Sequence, residues 1–303
     1  MTNLLFQLLP IFLYFGLGAL LKRCALADKT HGDFLLRFVF FVTLPLLILT
    51  SIPSVTLSVD TILLPFINVL VNAAALAVMF VLTRSSWTDN RQRGTALVNA
   101  GIQNNSFMFP FVIAVFGQTG FANAVLLDLG NALWMASVMY LVAYYYGGEQ
   151  HDPFTMLKRI AKSPLIWSLI VSLTLAATHS AVPPAVAAII NPLAQMTSPL
   201  ILVALGLFFS LTLTNLRLTL QIVGVRMGVG LAAGSLLAWL LVADPHTRAV
   251  IIACSAGPIG FSALTYSSLA KLDTSLSASA VSISILTGLI GIPVLLFFLT
   301  IYT

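Results

Sequence analysis

The chain has 303 residues, of which 59% are hydrophobic and 8% charged, and a formal net charge of +5. A soluble domain carries about 25% charged residues, so composition excludes a soluble core and describes an all-α polytopic membrane protein. The charge is spread over several loops, which excludes a nucleic-acid patch. Cys24 and Cys254 stand far apart in apolar sequence and make neither a disulfide framework nor a metal site.

Apolar runs long enough to cross a hydrocarbon core of about 30 Å recur along the chain. They predict ten transmembrane helices, over residues 3–21, 34–51, 61–83, 95–116, 121–146, 164–180, 192–213, 218–242, 248–270 and 276–301. The first run, LLFQLLPIFLYFGLGALL (4–21), has no basic segment before it, so no cleavable signal is expected. Lys22, Arg23, Lys29 and Arg37 follow span 1, and Arg84, Arg91 and Arg93 follow span 3. Lys158, Arg159 and Lys162 follow span 5, Arg217 follows span 7 and Lys271 follows span 9. The opposite side has Arg248 alone. Basic loops face the cytoplasm, so both termini are expected outside a plasma (inner) membrane.

Polar residues inside the spans are the candidates for function. Asn68 and Asn72 lie four apart on span 3 and share a face. Span 4 carries Gln103, Asn104, Asn105 and Ser106 in succession, between Gly101 and Pro110. An unpaired buried amide costs roughly 2–7 kcal/mol, and four consecutive polar residues point all round a helix. They therefore predict a broken helix at a site, rather than a strip that glues helices together. Asn105 or Ser106 is expected to cap the restarted half-helix. Span 9 has a matching break at Gly257-Pro258 and Gly260, flanked by Ser255 and Ser262. Facing half-helix N-termini favour an anion, particularly a carboxylate.

Asp128 and Asn131 lie in span 5 and Arg226 in span 8. An intramembrane carboxylate is a functional candidate by default. Asp128 either binds a coupling H⁺ or Na⁺, pairs with Arg226, or stays wet near the outer surface. Arg226 either snorkels to the cytoplasmic face or faces the cavity and attracts a carboxylate. Asn68, Asn72 and Asn131 either line the transport path or hold helices together. Gly16, Gly18, Gly224, Gly228, Gly230 and Gly234 read as close helix packing. His31, His151, His179 and His246 show no metal spacing, and neither a G-x-S-x-G elbow nor a Walker sequence is present.

Pro10 and Pro164 open their spans and are 154 residues apart, as are Pro45 and Pro199. The same shift sets Asn104 on Pro258. With five spans in each half, the second half enters from the opposite side, an inverted repeat of a kind common in secondary transporters. The halves are 1–146 and 164–303, joined by a cytoplasmic loop at 147–163.

NAGIQNNSFMFPFVIAVFG (99–117), together with LLPIFLYFGLGALLKR (8–23), FVTLPLLIL (41–49) and SPLILVALGLFFS (198–210), resembles the bacterial auxin efflux carrier family. The resemblance runs through the whole chain. It implies two inverted five-helix repeats, as in the bile-acid symporter and sodium/proton antiporter folds. Helices 4 and 9 would cross at the substrate site, helices 1, 2, 6 and 7 would form a scaffold, and helices 3–5 and 8–10 a transport domain. Bacterial relatives are linked to small organic acids such as malonate or malate. The family usually has a small residue near the proline of helix 4, where this chain has Phe107, Met108 and Phe109.

The expected function is a secondary transporter of a small organic anion such as a carboxylate. The alternatives are a sodium/proton-type cation antiporter of the same fold and an intramembrane enzyme using Asp128. The substrate-binding candidates are Gln103, Asn104, Asn105, Ser106, Pro110, Ser255, Gly257 and Pro258. Those for coupling or anion contact are Asp128, Arg226, Asn68, Asn72 and Asn131. No cofactor is expected beyond H⁺ or Na⁺ as coupling ion. Expected partners are the anion, the lipid bilayer and a second copy of the chain through the scaffold helices.

Overall fold

The structure, a computed structural model, describes residues 2–54, 58–86, 89–147, 163–209 and 214–302. His151, Lys158, Arg159 and Lys162 lie outside the described residues. The described residues form fifteen α-helices and no strand. Five lie in the N-terminal third: α1 (Thr2–Arg23), α2 (Lys29–Phe38), α3 (Leu44–Ser51), α4 (Val59–Ser86) and α5 (Asn90–Gly101). Next come α6 (Asn105–Trp134), α7 (Tyr140–Gly147), α8 (Pro164–Ala177), α9 (Pro184–Gln195) and α10 (Thr197–Phe208). The last five are α11 (Leu216–Gly224), α12 (Gly230–Leu241), α13 (Pro245–Ser255), α14 (Phe261–Leu269) and α15 (Thr274–Tyr302). Single π turns at Val39–Thr43, Met135–Met139 and Val225–Val229 join α2 to α3, α6 to α7 and α11 to α12.

Seven helical stretches are long and apolar enough to cross a membrane: Phe6–Arg23, Lys29–Ser51, Val59–Arg84, Asn105–Gly147, Pro184–Phe208, Leu216–Leu241 and Thr274–Ile301. The sequence predicts ten. The difference has three physical sources. Spans 4 and 9 are broken into short helices (α5 with the start of α6, and α13 with α14). Spans 4 and 5 run on through Gly117, which interrupts α6 with φ +64°, a conformation open to glycine at little cost. α8 has only 14 residues. Pro10 lies inside α1 rather than opening it, whereas Pro164 is the first residue of α8.

Helix starts follow capping rules. Asp89 opens α5 by accepting from the Arg91 N–H at 2.8 Å, and Asp244 opens α13 by accepting from the Thr247 N–H at 2.7 Å. Asp28 opens α2, and a hydrogen bond from His31 holds its carboxyl below the usual carboxylate range. Acidic caps also match the positive end of the helix dipole.

The described chain falls into two units. The first comprises Met1–Thr61, Phe109–Val125 and Phe154–Phe209. Here α10 lies against α1 and α2, and α3 against α8 and α9. A Cβ on Gly18 would collide with the Val203 carbonyl, and one on Gly206 with the Phe15 carbonyl, so small residues set the α1–α10 approach. Phe6, Leu9, Phe12, Leu13, Leu17 and Leu20 of α1 are uncovered by protein, as a lipid-facing helix requires.

The second unit comprises Ile62–Met108, Leu126–Pro153 and Ser210–Thr303. α12 packs on α13, α15 on α11 and α14, and α5 on α7, α14 and α15. Glycines again set close approaches. A Cβ on Gly130 would collide with the Pro65 carbonyl, and one on Gly230 or Gly234 with Ser255. Gly16, Gly224 and Gly228, expected to pack closely, have nothing within 4 Å of a Cβ.

Candidate functional site

The second unit contains two helix breaks, and they meet. α5 stops at Gly101 and α6 begins at Asn105; α13 stops at Ser255 and α14 begins at Phe261. Between them the chain is extended and pairs antiparallel, Gln103 opposite Ile259. The Gly260 N–H donates to the Ile102 carbonyl at 3.1 Å, and the Asn104 N–H to the Pro258 carbonyl at 2.9 Å. Only glycine fits at 260, because a Cβ would come within 2.9 Å of the Gln103 carbonyl.

A backbone polar group left unpaired in hydrocarbon costs several kcal/mol, and here four carbonyls at the break after α5 find donors. Ala100 O accepts from Arg226 Nη1 at 3.3 Å and Gly101 O from Trp134 Nε1 at 3.0 Å. Ile102 O accepts from Gly260, and Gln103 O from Asn131 Nδ2 at 3.3 Å. At the other break, Ser255 O accepts from Arg226 Nη2 at 3.2 Å and Cys254 O from Gln103 Nε2. The Ile259 N–H donates to Ser284 Oγ at 3.1 Å.

Five amide side chains complete the network. Arg226 Nη1 donates to Asn72 Oδ1 at 2.7 Å, Asn72 Nδ2 to Asn131 Oδ1 at 3.2 Å, and Asn131 Nδ2 to Asp128 Oδ1 at 3.0 Å. A second path leaves Arg226 Nη2 for Gln103 Oε1 at 3.4 Å. It continues from Gln103 Nε2 to Asn105 Oδ1 at 2.7 Å and from Asn105 Nδ2 to Asp128 Oδ1 at 2.8 Å. Asn68 braces both paths, accepting from Asn72 at 2.8 Å and donating to Gln103 at 3.2 Å. On the two paths each of the four amides, Asn72, Asn131, Gln103 and Asn105, accepts from the guanidinium side and donates toward the carboxylate, so both paths are polarised in one direction. Opposite charges at their two poles favour that alignment.

The structure therefore brings together Gln103, Asn104, Asn105, Asn68, Asn72, Asn131, Asp128, Arg226, Ser255 and Pro258. Gly257 lies beside Met108, and its N–H donates to Cys254 O at 2.8 Å. Ser106 takes no part in the network. Pro110 lies within α6 and not at the break.

Three expectations are corrected. The cap of α6 is Asn104, whose Oδ1 accepts from the Phe107 N–H at 3.0 Å, and neither Asn105 nor Ser106. Asn105 already belongs to the helix and turns its amide to Asp128. Arg226 does not snorkel: it is 0% exposed, because four oxygens inside the protein hold it. Asp128 and Arg226 form no ion pair among the described residues; the amides stand between them.

Three atoms of the centre are unspent, one of them Arg226 Nε, which is buried with no hydrogen-bond partner among the described residues. Asn104 is 5% exposed, and its Nδ2 is buried with no hydrogen-bond partner among the described residues. Asp128 is half-buried, and its Oδ2 has no partner among the described residues. Trp134 and Ser284, which complete the backbone pairing, went unweighed in the sequence because neither lies in a polar run. Nor was Asn99 weighed: its Nδ2 donates to Ser277 Oγ at 3.0 Å and ties α5 to α15.

Fold and site together define a multi-pass helical membrane protein with two broken helices crossing at a buried polar centre. Residues 4–296 match the family model described as membrane transport protein. The chain belongs to that family, the auxin efflux carriers, whose members are membrane transporters. No curated protein matches the chain.

Proposed function

We propose that the chain is a secondary transporter of a small organic anion, such as a carboxylate, working by alternating access around the crossing at 102–104 and 258–260. The observation that carries this is Asn104. Its unspent, buried Nδ2 is a donor without an acceptor at the N-terminus of α6. A buried donor left unmade costs about 1–3 kcal/mol, and a helix N-terminus favours negative charge by up to about 2 kcal/mol. A carboxylate oxygen answers both.

Further features support the reading. α14 also starts beside the crossing, with no side-chain cap at Gly260. The reading takes the helices as ten crossings, counting α2–α3, α5 with the start of α6, the rest of α6 with α7, α9–α10, α11–α12 and α13–α14 as one each. Asn104 and Pro258, superposed by the 154-residue shift, pair at the crossing, which supports inverted repeats over 1–146 and 164–303. The first unit holds expected helices 1, 2, 6 and 7, and the second most of the others. That division supports a scaffold, able to hold a second copy of the chain, and a transport domain. Both termini lie outside an inner membrane, and the protein is not an enzyme.

Asp128 favours a second reading, a sodium/proton-type antiporter of the same fold, because Oδ2 is open to H⁺ or Na⁺. Counterflow in proteoliposomes, with a panel of labelled small carboxylates including malonate and malate, separates the two. Exchange of a carboxylate supports the first. Cation flux without any carboxylate exchange supports the second.

A further inference from the structure

Arg226 has a role that anion transport alone does not assign. Its guanidinium is held by four neutral oxygens on three helices and the crossing: Asn72 Oδ1 of α4, Ala100 O at the end of α5, Gln103 Oε1 in the crossing and Ser255 O at the end of α13. Two of these are C-terminal carbonyls of half-helices, which carry partial negative charge. Such a set of neutral carbonyl and amide oxygens suits a hard monovalent cation, and half-helix C-termini are where secondary transporters hold their coupling cation. Here a side chain fills that place. A Cβ on Gly230 would come within 2.8 Å of Arg226 Nη2 and collide with Ser255 O, so glycine at 230 makes room for the arrangement. Among the described residues no other Lys or Arg is buried.

We infer that the four oxygens of Asn72, Ala100, Gln103 and Ser255 form a monovalent-cation site that Arg226 permanently occupies, so that a tethered cation closes both helix breaks and no soluble Na⁺ is needed there. The inference rests on reading the crossing as the transport site. A buried ion costs several kcal/mol unless its partners are held in place, so emptying the site leaves two helix ends facing one another with unpaired carbonyls. The emptied site then takes a soluble cation, with guanidinium the best match because it reproduces the fork of donors.

The test uses purified Arg226→Ala, with Arg226→Gln as the variant that keeps amide donors and more of the volume. In detergent, both variants unfold at a lower temperature than wild type. Guanidinium chloride at non-denaturing, low-millimolar concentration raises their midpoints saturably, by about 2–4 °C over equal choline chloride. Wild type shows no such rise. In proteoliposomes, wild-type malonate counterflow is the same in Na⁺ and in choline. The variants lose at least tenfold in flux and recover part of it with guanidinium. The inference is overturned by a saturable Na⁺ requirement of flux that persists in Asp128→Asn, where a cation taken up at that carboxylate is set aside. Wild-type flux in Arg226→Gln without added cation also overturns it, as does the absence of any guanidinium shift in the variants. Stabilisation by guanidinium with no carboxylate flux in wild type leaves the cation site standing and removes the anion-transport reading instead.

Discussion

Arg226 and Asp128 carry the two charges of the buried centre, and they are joined through amides rather than to each other. Either path from the guanidinium to Asp128 Oδ1 passes through two side-chain amides, Asn72 and Asn131 or Gln103 and Asn105. The charges cancel across the centre while one carboxylate oxygen stays open. A site so arranged offers neutral hydrogen-bonding walls and one uncommitted carboxylate oxygen, Asp128 Oδ2.

Asp128→Asn keeps the shape of that side chain and removes its charge. With Oδ1 retained, both amide donors still find an acceptor, so the variant is expected to fold. It is expected to transport downhill but not to concentrate substrate against a gradient, and the pH dependence of flux flattens. Accumulation measured in vesicles with and without an imposed ion gradient checks this. Unchanged accumulation and ion dependence would remove Asp128 from coupling and leave a facilitator.

Gly230→Ala and Gly228→Ala form a matched pair two residues apart. At 230 the new Cβ meets the Ser255 carbonyl and Arg226, whereas at 228 it meets nothing within 4 Å. Overpacking costs typically about 1–3 kcal/mol, while Gly to Ala in an open helix position gains about 0.5–1 kcal/mol. Thermal unfolding in detergent should show Gly230→Ala lower than wild type and Gly228→Ala equal or higher. Equal midpoints for the two would remove the close approach of α12 to α13.

Orientation follows from charge. Eleven of the fourteen Lys and Arg residues fall in odd-numbered loops of the ten-span layout and Arg37 lies at the adjoining end of span 2, and the cytoplasmic loops are the basic ones. A reporter fused after Thr303 is therefore expected to be active only where it works in the periplasm. A cytoplasmic signal means an odd number of crossings and takes the inverted repeat away with it.

Much of the fold was legible because membrane spans are written in runs of about 20 apolar residues, and the breaks at 102–104 and 256–260 were announced by amides, Gly257 and Pro258. Asn104 and Pro258, which the 154-residue shift superposes in sequence, are joined in the structure by the Asn104 N–H and the Pro258 carbonyl. The cap was misread by one residue: Asn104 and Asn105 have the same chemistry, and only backbone geometry decides which stands at the boundary. Arg226 was misread in part, because a span shows a charge but not the acceptors that come to it from elsewhere in the chain. Its neighbours in space, Asn72, Ala100 and Ser255, are far from it in sequence. Gly224 and Gly228 look like Gly230 and Gly234 in sequence, yet only the latter pair meets Ser255.

Asn104 tests the central claim most directly, because two variants separate its structural duty from its donor. Asn104→Ser keeps an N-cap oxygen for the Phe107 N–H and removes the free Nδ2; Asn104→Leu removes both. Counterflow of the labelled carboxylate that wild type exchanges is the measurement, with thermal unfolding recorded in parallel. Asn104→Ser is expected to unfold within a few degrees of wild type and to lose at least tenfold in exchange, with Asn104→Leu inactive. Wild-type exchange in both variants would contradict an anion site at this crossing.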